Sequence, residues 1–595
     1  MVCLRLLYAP NLVAHATPHI RPPGQWASRA ARNDTAAGTH ERGHWKHEAF
    51  TLDSPGQEHC TILECRIVRP CRSGGAIEVP GVTMVAWFAI LLVVLLPATA
   101  VAQQLVIGMS TEATSIDPHF SDLGPNQAVR QHIFDSIVHI GSKNEVLPGL
   151  AVEWGRRGDP LIWEFKLRRG VKFHDGTPFT AHDVEFSIAR APHVPGAPAT
   201  VSRRISDVAS VQIIDDFTIQ IRTKTPTPIL PNNIAYLAIV SRKVGLDARP
   251  EDFNNGKHTY GTGPYKFVKH TPGDRTELVA NPDYWGVQPH WKSVTIRPMT
   301  NAAARTAALL AGDVDTINDV PPTDISRLKS DPRFLVTQSV SNRIMFWTID
   351  VFRDQALHVT ALDGSPMPNP LKDLRVRKAM NLAIDRQAIV ERIMEGLAVS
   401  ANQIVPAGFT GHAPDLVPPK PDLDLARRLM AEAGHQKGFQ ITIHSTNNRY
   451  VNDAKTAQAV AQMLSRIGIK VNVAALPVAL YFNSARKHEF TFPQIGWGNL
   501  TGDAAQVLHE ALNSVSINNY GRWANAEFDR LMDLAAAELD QAKREEHLRQ
   551  ATRVAIADVA IIPTHWQVNV WASKKGLRYE PRIDEMTFAM MVKPE

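Results

Sequence analysis

The 595-residue sequence predicts an α/β protein built of two or three domains or lobes. A chain of this length exceeds what a single hydrophobic core usually holds. In the second half of the chain, amphipathic helices alternate with single apolar strands, a pattern typical of crossover units and of a mainly parallel sheet. In the first half, residues 163–190 place a strand, a tight turn and a capped helix in that order.

That segment is the clearest local signal in the sequence. Trp163, Phe165 and Leu167 alternate with charged residues, which is the period of a half-buried strand. Thr180 and Asp183 have the spacing of a capping box, with Asp in place of the usual Glu, so a helix is expected to begin there. By itself this arrangement fits a structural corner of any α/β protein.

Composition excludes several classes of protein. An apolar content of 44% and a charged content of 21% are typical of a globular chain. The net charge is +5, and residues 1–102 contain nine Lys or Arg against seven Asp or Glu, so the rest of the chain is nearly balanced. It has no basic block of the kind that binds nucleic acid, and no nucleic-acid partner is expected.

The four cysteines, Cys3, Cys60, Cys65 and Cys71, all precede residue 84. Their spacing is not that of a zinc site, and we expect neither a metal nor a cofactor. A body without cysteine suits an oxidising compartment, where a stray thiol is a liability.

The sequence of the N-terminal 102 residues indicates two segments, 1–83 and 84–102. An apolar run follows Met84 and ends at Pro97, and small residues up to Ala102 then form a cleavage site. This pattern predicts a secretory signal peptide at 84–102, cleaved after Ala102. Residues 1–83 show no sustained period and are interpreted as a disordered extension or a segment outside the working protein. An uncleaved membrane anchor is the alternative, because the positively charged flank is weak.

Four segments carry a family resemblance. They are LRRGVKFHDGTPFTAHDV (167–184), GTGPYKF (261–267), NPDYWG (281–286) and KDLRVRKAMNLAIDR (372–386). They resemble signatures of the family 5 solute-binding proteins of ABC importers, which bind dipeptides, oligopeptides, nickel complexes, glutathione and some opines or sugars. The similarity extends over roughly residues 104–595.

The resemblance implies a type II (cluster C-like) periplasmic binding protein with an extra subdomain in lobe I. Lobe I would comprise 104–298 plus 563–595 and lobe II 299–562, with hinges near Pro298 and Pro563. Such a protein captures its ligand in the cleft, acts as a monomer and delivers the ligand to an inner-membrane ABC permease with ATPase subunits. It would perform no chemistry. His174 and Asp175 of the first signature would be structural.

Residues 494–503, QIGWGNLTGD, resemble the dipeptide-binding members of that family through Trp497, Gly502 and Asp503. The resemblance implies that Asp503 accepts the ligand's α-amino group, while Trp497 offers a flat face to a side chain or cation. Ala504 and Ala505 depart from the Pro and Asp of those members, which leaves the substrate class open. The alternative for Asp503 is a helix cap.

Further candidates lie beside strands that would line the cleft. Thr111 and Glu112 follow the first strand, in a polar loop that is either part of the ligand site or an ordinary connection. Asn342, Arg343 and Trp347 lie on a strand; Arg343 could hold a ligand carboxylate, or form an ion pair.

These residues favour a small peptide or peptide-like solute. A nickel chelate, opine, glutathione or sugar is the alternative, with His488 and His509 the imidazoles nearest the predicted loop. The alternative functions from other classes are a periplasmic hydrolase, a chaperone or the ligand domain of a sensor. Ser326 and Lys329 match the S-x-x-K motif of β-lactamases, but its partner motifs are missing, so no catalytic residue is predicted.

Overall fold

The computed structural model describes residues 104–198 and 201–595. The predictions made for residues 1–102, including the signal peptide, lie outside the described residues. Helices and strands are mixed throughout the described residues, as the α/β prediction requires. None of the described helices combines the length and the apolar character needed to cross a membrane.

Twenty strands are described, most of them short. In chain order they are β1 (Gln104–Met109), β2 (Val138–Ile140), β3 (Val146–Pro148), β4 (Ala151–Arg157), β5 (Asp159–Leu167), β6 (Val208–Asp215), β7 (Thr218–Thr223), β8 (Tyr265–Thr271), β9 (Arg275–Ala280), β10 (Ser293–Pro298), β11 (Thr316–Ile317), β12 (Phe334–Thr348), β13 (Val359–Thr360), β14 (Ala398–Ser400), β15 (Gln440–Thr446), β16 (Lys470–Leu476), β17 (Gln494–Gly498), β18 (Ile561–Lys574), β19 (Leu577–Tyr579) and β20 (Val592–Pro594).

Fifteen α-helices accompany these strands in the described part. They are α1 (Gly124–Ile133), α2 (Ala181–Arg190), α3 (Val201–Arg204), α4 (Leu230–Ile234), α5 (Pro250–Asn254), α6 (Ala302–Ala311), α7 (Pro322–Ser330), α8 (Leu374–Ala383), α9 (Arg386–Ala388), α10 (Leu423–Glu432), α11 (Asp453–Ser465), α12 (Val478–Arg486), α13 (Ala504–Leu512), α14 (Ala526–Ala537) and α15 (Gln541–Ala557).

The largest sheet has nine strands. Its order is β17-β12-β18-β11-β1-β10-β9-β8, with β14 added on β18. The other sheets are β4-β5-β7-β6, β13-β15-β16 and the two-stranded ribbons β2-β3 and β19-β20. Strand β18, near the C-terminus, therefore lies between β11 and β12 and joins two parts of the large sheet.

The prediction of a mainly parallel sheet is wrong. Among the described strands, parallel pairing occurs only in β1–β10, β1–β11 and β15–β16. The long strands β12 and β18 run antiparallel along most of their length, with an interruption between Val340 and Ile344. Alternating helices and strands indicate crossovers, but strand direction is set by returns from distant parts of the chain that local patterns do not show.

Buried apolar residues form four clusters. The first contains residues from 105 to 296 together with C-terminal residues such as Trp571, Tyr579 and Phe588. The second and third are drawn from residues 344–566, and the fourth surrounds β11, α6 and α7. The lobe boundaries given above stay a prediction.

The local signals near Thr180 are confirmed. Asp183 accepts a hydrogen bond from the Thr180 backbone N–H at 2.9 Å, and a capping box opens α2. Asp183 also accepts from the backbone N–H of Arg242 at 2.9 Å, so the cap joins two segments. Alternating apolar residues on either side of Asp215 and Asp216 predict a hairpin over 205–224, and it is present as β6 and β7.

The first two signature segments contact each other through His174. Its Nε2 donates to the carbonyl of Gly263 at 2.9 Å, and its Nδ1 accepts from the N–H of Gly261 at 3.2 Å. Gly261 must be glycine, because an added Cβ would lie 2.0 Å from the carbonyl oxygen of Ile133. Burial lowers the pKa of His174 to about 4, so the ring is neutral and can accept.

One element differs from what its sequence predicts. The apolar face of Val129, Ile133 and Ile137 predicts a helix over 127–140, but α1 ends at Ile133 and Val138–Ile140 is strand β2. Over a few residues this apolar spacing fits a helix or a strand equally well, and tertiary pairing decides between them.

Candidate ligand-binding cleft

A cavity of about 1090 Å³ is lined by residues from both halves of the chain. The first half of the chain contributes the loop after β1 and parts of segments 122–128, 203–207 and 225–233. The second half contributes parts of segments 318–319, 342–343, 448–450, 495–510 and 584–586. A volume of this size is at the upper end of small-molecule sites and suits a ligand larger than one amino acid.

The parallel pairing of β1 with β11 explains one wall. The two strands end at the same edge, since Gly108 pairs with Ile317, and the loops that follow them meet there. The backbone N–H of Ser110 donates to the side chain of Asn318 at 2.8 Å, and the Ser110 hydroxyl donates to Asp319. This edge brings Asp319 into the cavity wall.

Five of the eight predicted site residues line the cavity. They are Thr111, Glu112, Asn342, Arg343 and Trp497. Glu112 accepts the backbone N–H of Gly273 at 2.6 Å, and Asn342 donates to the carbonyl of Asn499 at 2.7 Å. Both side chains therefore already hold neighbouring segments in place.

Trp347 and Gly502 are placed elsewhere. Trp347 is 0% exposed and stacks on Phe492, with ring centroids 5.0 Å apart. Gly502 has a left-handed backbone (φ 70°) and packs beside Asn144. Among residues 104–198 and 201–595, neither is part of the cavity lining, and the structure does not bring them to a ligand.

Asp503 is also absent from the lining of the described cavity. It is 5% exposed and caps α13, accepting from the backbone N–H of Ala505 at 2.8 Å. The same carboxylate is bound by both terminal nitrogens of Arg544, with Nη2 at 3.0 Å from Oδ1. The capping alternative is what the structure shows, and the carboxylate expected to receive a ligand amine is already paired.

Arg343 forms an ion pair with Glu585. Its Nε and Nη2 donate to the Glu585 carboxylate at 3.0 and 2.6 Å, and the Ser341 hydroxyl donates to Glu585 at 2.6 Å. Burial alone would lower the pKa of Arg343, but the attraction of Glu585 outweighs it and raises that pKa. Of its two predicted roles, the ion pair is the one observed.

Arg449 is a cavity residue that the sequence reasoning missed. Its side chain is exposed on the cavity, and its guanidinium lies 5.2 Å from the ring centroid of Tyr450. Within the described chain it donates no side-chain hydrogen bond and has no ion-pair partner. Burial and the like charge of Arg343 lower its pKa. Its position in a polar loop after an apolar strand was the available signal.

Glu510 is another charged residue that lines the cavity. Its neighbours in electrostatic range include Arg203, Arg204, Asp122 and His509, and burial raises its pKa. Arg204 is paired with Asp122 at 3.1 Å. His509 lines the cavity but His488 does not; its Nδ1 donates to the carbonyl of Tyr520 at 3.3 Å. No group of three or more metal-ligating side chains is assembled among the described residues.

The loop between β17 and α13 is held by residues from the first half of the chain. Asn144 donates to the carbonyl of Asn499 at 3.1 Å, and Asn232 donates to that of Thr501 at 2.8 Å. The Tyr236 hydroxyl donates to the carbonyl of Leu500 at 2.6 Å. This loop follows Trp497, so a segment that lines the cavity is also held by the first half of the chain.

Comparison with known proteins supports the family that the four signature segments predict. Residues 145–519 match the model of the bacterial extracellular solute-binding proteins, family 5. The chain is similar to Heme-binding protein A of Haemophilus influenzae, with 27% identity covering 73% of this chain and 82% of that protein. It is 26% identical to the Dipeptide-binding protein of Escherichia coli, covering 68% and 78%.

A solved structure has the same fold. HbpA2 from Haemophilus parasuis superposes with a TM-score of 0.71 at 24% identity, covering 83% of this chain and 100% of that one. The mixed nine-stranded sheet, the large cavity between distant segments and the family match all agree with the fold that the sequence signatures predict. The chain belongs to family 5 of the bacterial extracellular solute-binding proteins.

Proposed function

We propose that this protein captures a small peptide or peptide-like solute in the 1090 Å³ cavity and delivers it to an inner-membrane ABC permease with ATPase subunits. The unpaired guanidinium of Arg449 carries the proposal. A peptide has a terminal carboxylate, and a guanidinium can hold a carboxylate through two parallel hydrogen bonds. In a cleft shielded from water such a pair is stronger than at an open surface.

The surroundings of Arg449 support this assignment over Arg343. Arg343 is committed to Glu585, so a ligand would have to break an existing pair to reach it. Arg449 has no ion-pair partner in the described chain, so a ligand carboxylate would meet an unpaired positive charge. Trp497, on the cavity lining, supplies a flat apolar face for a neighbouring part of the ligand.

The proposed function includes export and domain movement. We propose that the signal peptide at 84–102 is cleaved and that the released protein acts as a periplasmic monomer without enzymatic activity. The loop at 499–501, held by Asn144, Asn232 and Tyr236, would be released when the two lobes separate. Ligand binding then favours the state in which these hydrogen bonds exist.

A peptide titration tests the assignment. We would purify residues 103–595 from a periplasmic extract without refolding, identify any bound mass by native mass spectrometry, and measure thermal shifts with alanine peptides of two to five residues. Arg449→Met is expected to weaken peptide binding by roughly 2–4 kcal/mol, since one partner of a shielded charge pair is lost.

The matched control is Arg327→Met, which removes an exposed arginine of α7 outside the cavity. It is expected to leave peptide binding unchanged. A protein that is stabilised by hemin but by none of the alanine peptides would overturn the peptide assignment while keeping the binding-protein function.

A further inference from the structure

We propose that Asp319 binds a positively charged group of the ligand, so that the cleft selects solutes that carry an ammonium. The inference rests on the proposed function, because it concerns the same cavity. It assigns to Asp319 the role that sequence resemblance implied for Asp503, whose carboxylate is paired with Arg544.

The Asp319 carboxylate is available to a ligand. It lines the cavity with an exposed side chain, and the Ser110 hydroxyl is its single hydrogen-bond donor among the described residues. That donor contacts Oδ2, so Oδ1 has no partner in the described chain. A carboxylate with one oxygen free of hydrogen bonds is stabilised most by an ammonium, because an ammonium can donate several hydrogen bonds and neutralise the negative charge.

The backbone at Asp319 is held in place by its neighbours. Its φ is 47°, a left-handed conformation that non-glycine residues adopt at a cost, and such residues concentrate at functional sites. The buried guanidinium of Arg305 donates to the carbonyls of Asn318 and Asp319, at 3.0 and 2.7 Å. The side chain is therefore presented to the cavity by a rigid frame, as a selective site needs.

The charge of the cavity wall favours a cation. Eight carboxylate side chains and five arginines line it, and lysine is not among the lining residues of the described chain. The buried partners behind the wall, Arg582 for Asp584 and Asp503 for Arg544, cancel each other. The wall therefore has an excess of negative charge, which lowers the electrostatic energy of a positively charged ligand group.

Other lining carboxylates fit the role less well. Glu585 is held by Arg343 and Ser341, and Glu112 by the backbone of Gly273. Glu510 lies within electrostatic range of Arg203 and Arg204 and is less exposed than Asp319, so a ligand reaches it less easily. Asp319 lies within electrostatic range of Arg305 and Arg343, but no arginine of the described chain lies within 4.0 Å of its carboxylate.

Asp319 and Arg449 also suit one ligand together. Each interacts electrostatically with the Arg343–Glu585 pair, so the two lie in the same part of the cavity. They do not form an ion pair with each other. A ligand with an ammonium and a carboxylate separated by at least one peptide unit could therefore contact both without competing for either.

The test compares two probes that differ in one charge. Tri-alanine and N-acetyl-tri-alanine share the carboxylate, but acetylation removes the ammonium. Isothermal titration of residues 103–595 is expected to show that acetylation weakens binding about thirtyfold or more, the loss expected for one side of a shielded charge pair. Asp319→Asn is expected to bind tri-alanine as weakly as wild type binds the acetylated peptide, with no further loss on acetylation.

Asn is the appropriate replacement, because it tolerates the left-handed backbone and keeps the shape of the side chain. Asp313→Asn, which neutralises an exposed carboxylate outside the cavity lining, is the control and should bind like wild type. Equal binding of the two peptides to wild type would overturn the inference and leave the proposed function standing. An equal loss for both peptides in Asp319→Asn would also overturn it, since that indicates a structural role. Failure of folded wild type to bind either peptide would overturn the proposed function and the inference with it.

Discussion

Asp503 and Arg544 form a buried ion pair that joins the beginning of α13 to the beginning of α15. The Nη2–Oδ1 distance is 3.0 Å, and the two side chains are 6% and 3% exposed. The carboxylate also caps α13 through the N–H of Ala505. Arg544 lines the cavity and Asp503 does not, so the pair anchors this part of the wall and the Asp503 carboxylate is not presented to a ligand.

Breaking this pair is expected to destabilise the protein strongly. Arg544→Met leaves the Asp503 charge buried without its partner, which typically costs about 3–5 kcal/mol of unfolding free energy. Urea denaturation measures the loss. Arg553→Met removes an exposed arginine of the same helix, paired with Asp415 and Glu546, and should cost about 0–1 kcal/mol. Equal losses in the two variants would contradict the prediction.

Removing the Tyr236 hydroxyl is expected to weaken ligand binding. The hydroxyl donates to the carbonyl of Leu500, in the loop between β17 and α13, and Leu500 lines the cavity. A hydrogen bond contributes about 0.5–1.5 kcal/mol, so Tyr236→Phe should weaken tri-alanine binding roughly two- to tenfold, measured by titration calorimetry. Tyr260→Phe is the control, since that hydroxyl has no hydrogen-bond partner within the described chain. A loss of the same size in the control would argue against the loop.

Buried neutral histidines predict that the protein loses stability in acid. Burial lowers the pKa of His119, His132 and His565 to about 4, against about 6.5 in an unfolded chain. Between these two values the unfolded state binds more protons, so stability falls as the pH drops from about 6.5 to about 4. Each such histidine contributes about 1.4 kcal/mol per pH unit.

Denaturation midpoints at pH 7, 6 and 5 check this dependence. His132 donates to the carbonyl of Ala128 and accepts the N–H of Ala589, so His132→Gln should lower stability at pH 7 and also flatten the pH slope. His193→Gln, at an exposed position, should leave the slope unchanged. A slope identical in all three proteins would exclude His132 as a source of acid sensitivity.

Neutralising Asp319 is expected to stabilise the empty protein. Desolvation within the cavity raises the pKa of this carboxyl above its unfolded value, so its contribution to stability is fully present below the unfolded pKa and is lost as the pH rises through the folded pKa. Asp319→Asn should therefore raise the melting temperature at pH 7, and the gain should shrink towards pH 4. A variant less stable than wild type at pH 7 would show that the carboxylate holds the fold together.

Local features of the fold were predictable and distant pairings were not. The capping box at Thr180 joins two residues three positions apart, so the local sequence is enough to predict it. Arg343 and Glu585 are 242 residues apart, so no local pattern indicates their pair. Asp503 and Arg544 are separated by 41 residues, and resemblance alone favoured a ligand role for Asp503. Asp319 gave no sequence signal, because its exposure to the cavity arises from the meeting of β1 and β11.

The position of β18 has a consequence for biosynthesis. This strand lies between β11 and β12 in the large sheet, and the first hydrophobic cluster is completed by residues such as Trp571, Tyr579 and Phe588. All of them leave the ribosome last. A growing chain can form α2 or the β6–β7 hairpin early, but the central gap in its sheet stays open until translation is nearly finished. The large sheet and the first hydrophobic cluster therefore cannot be completed before the last part of the chain has been synthesised.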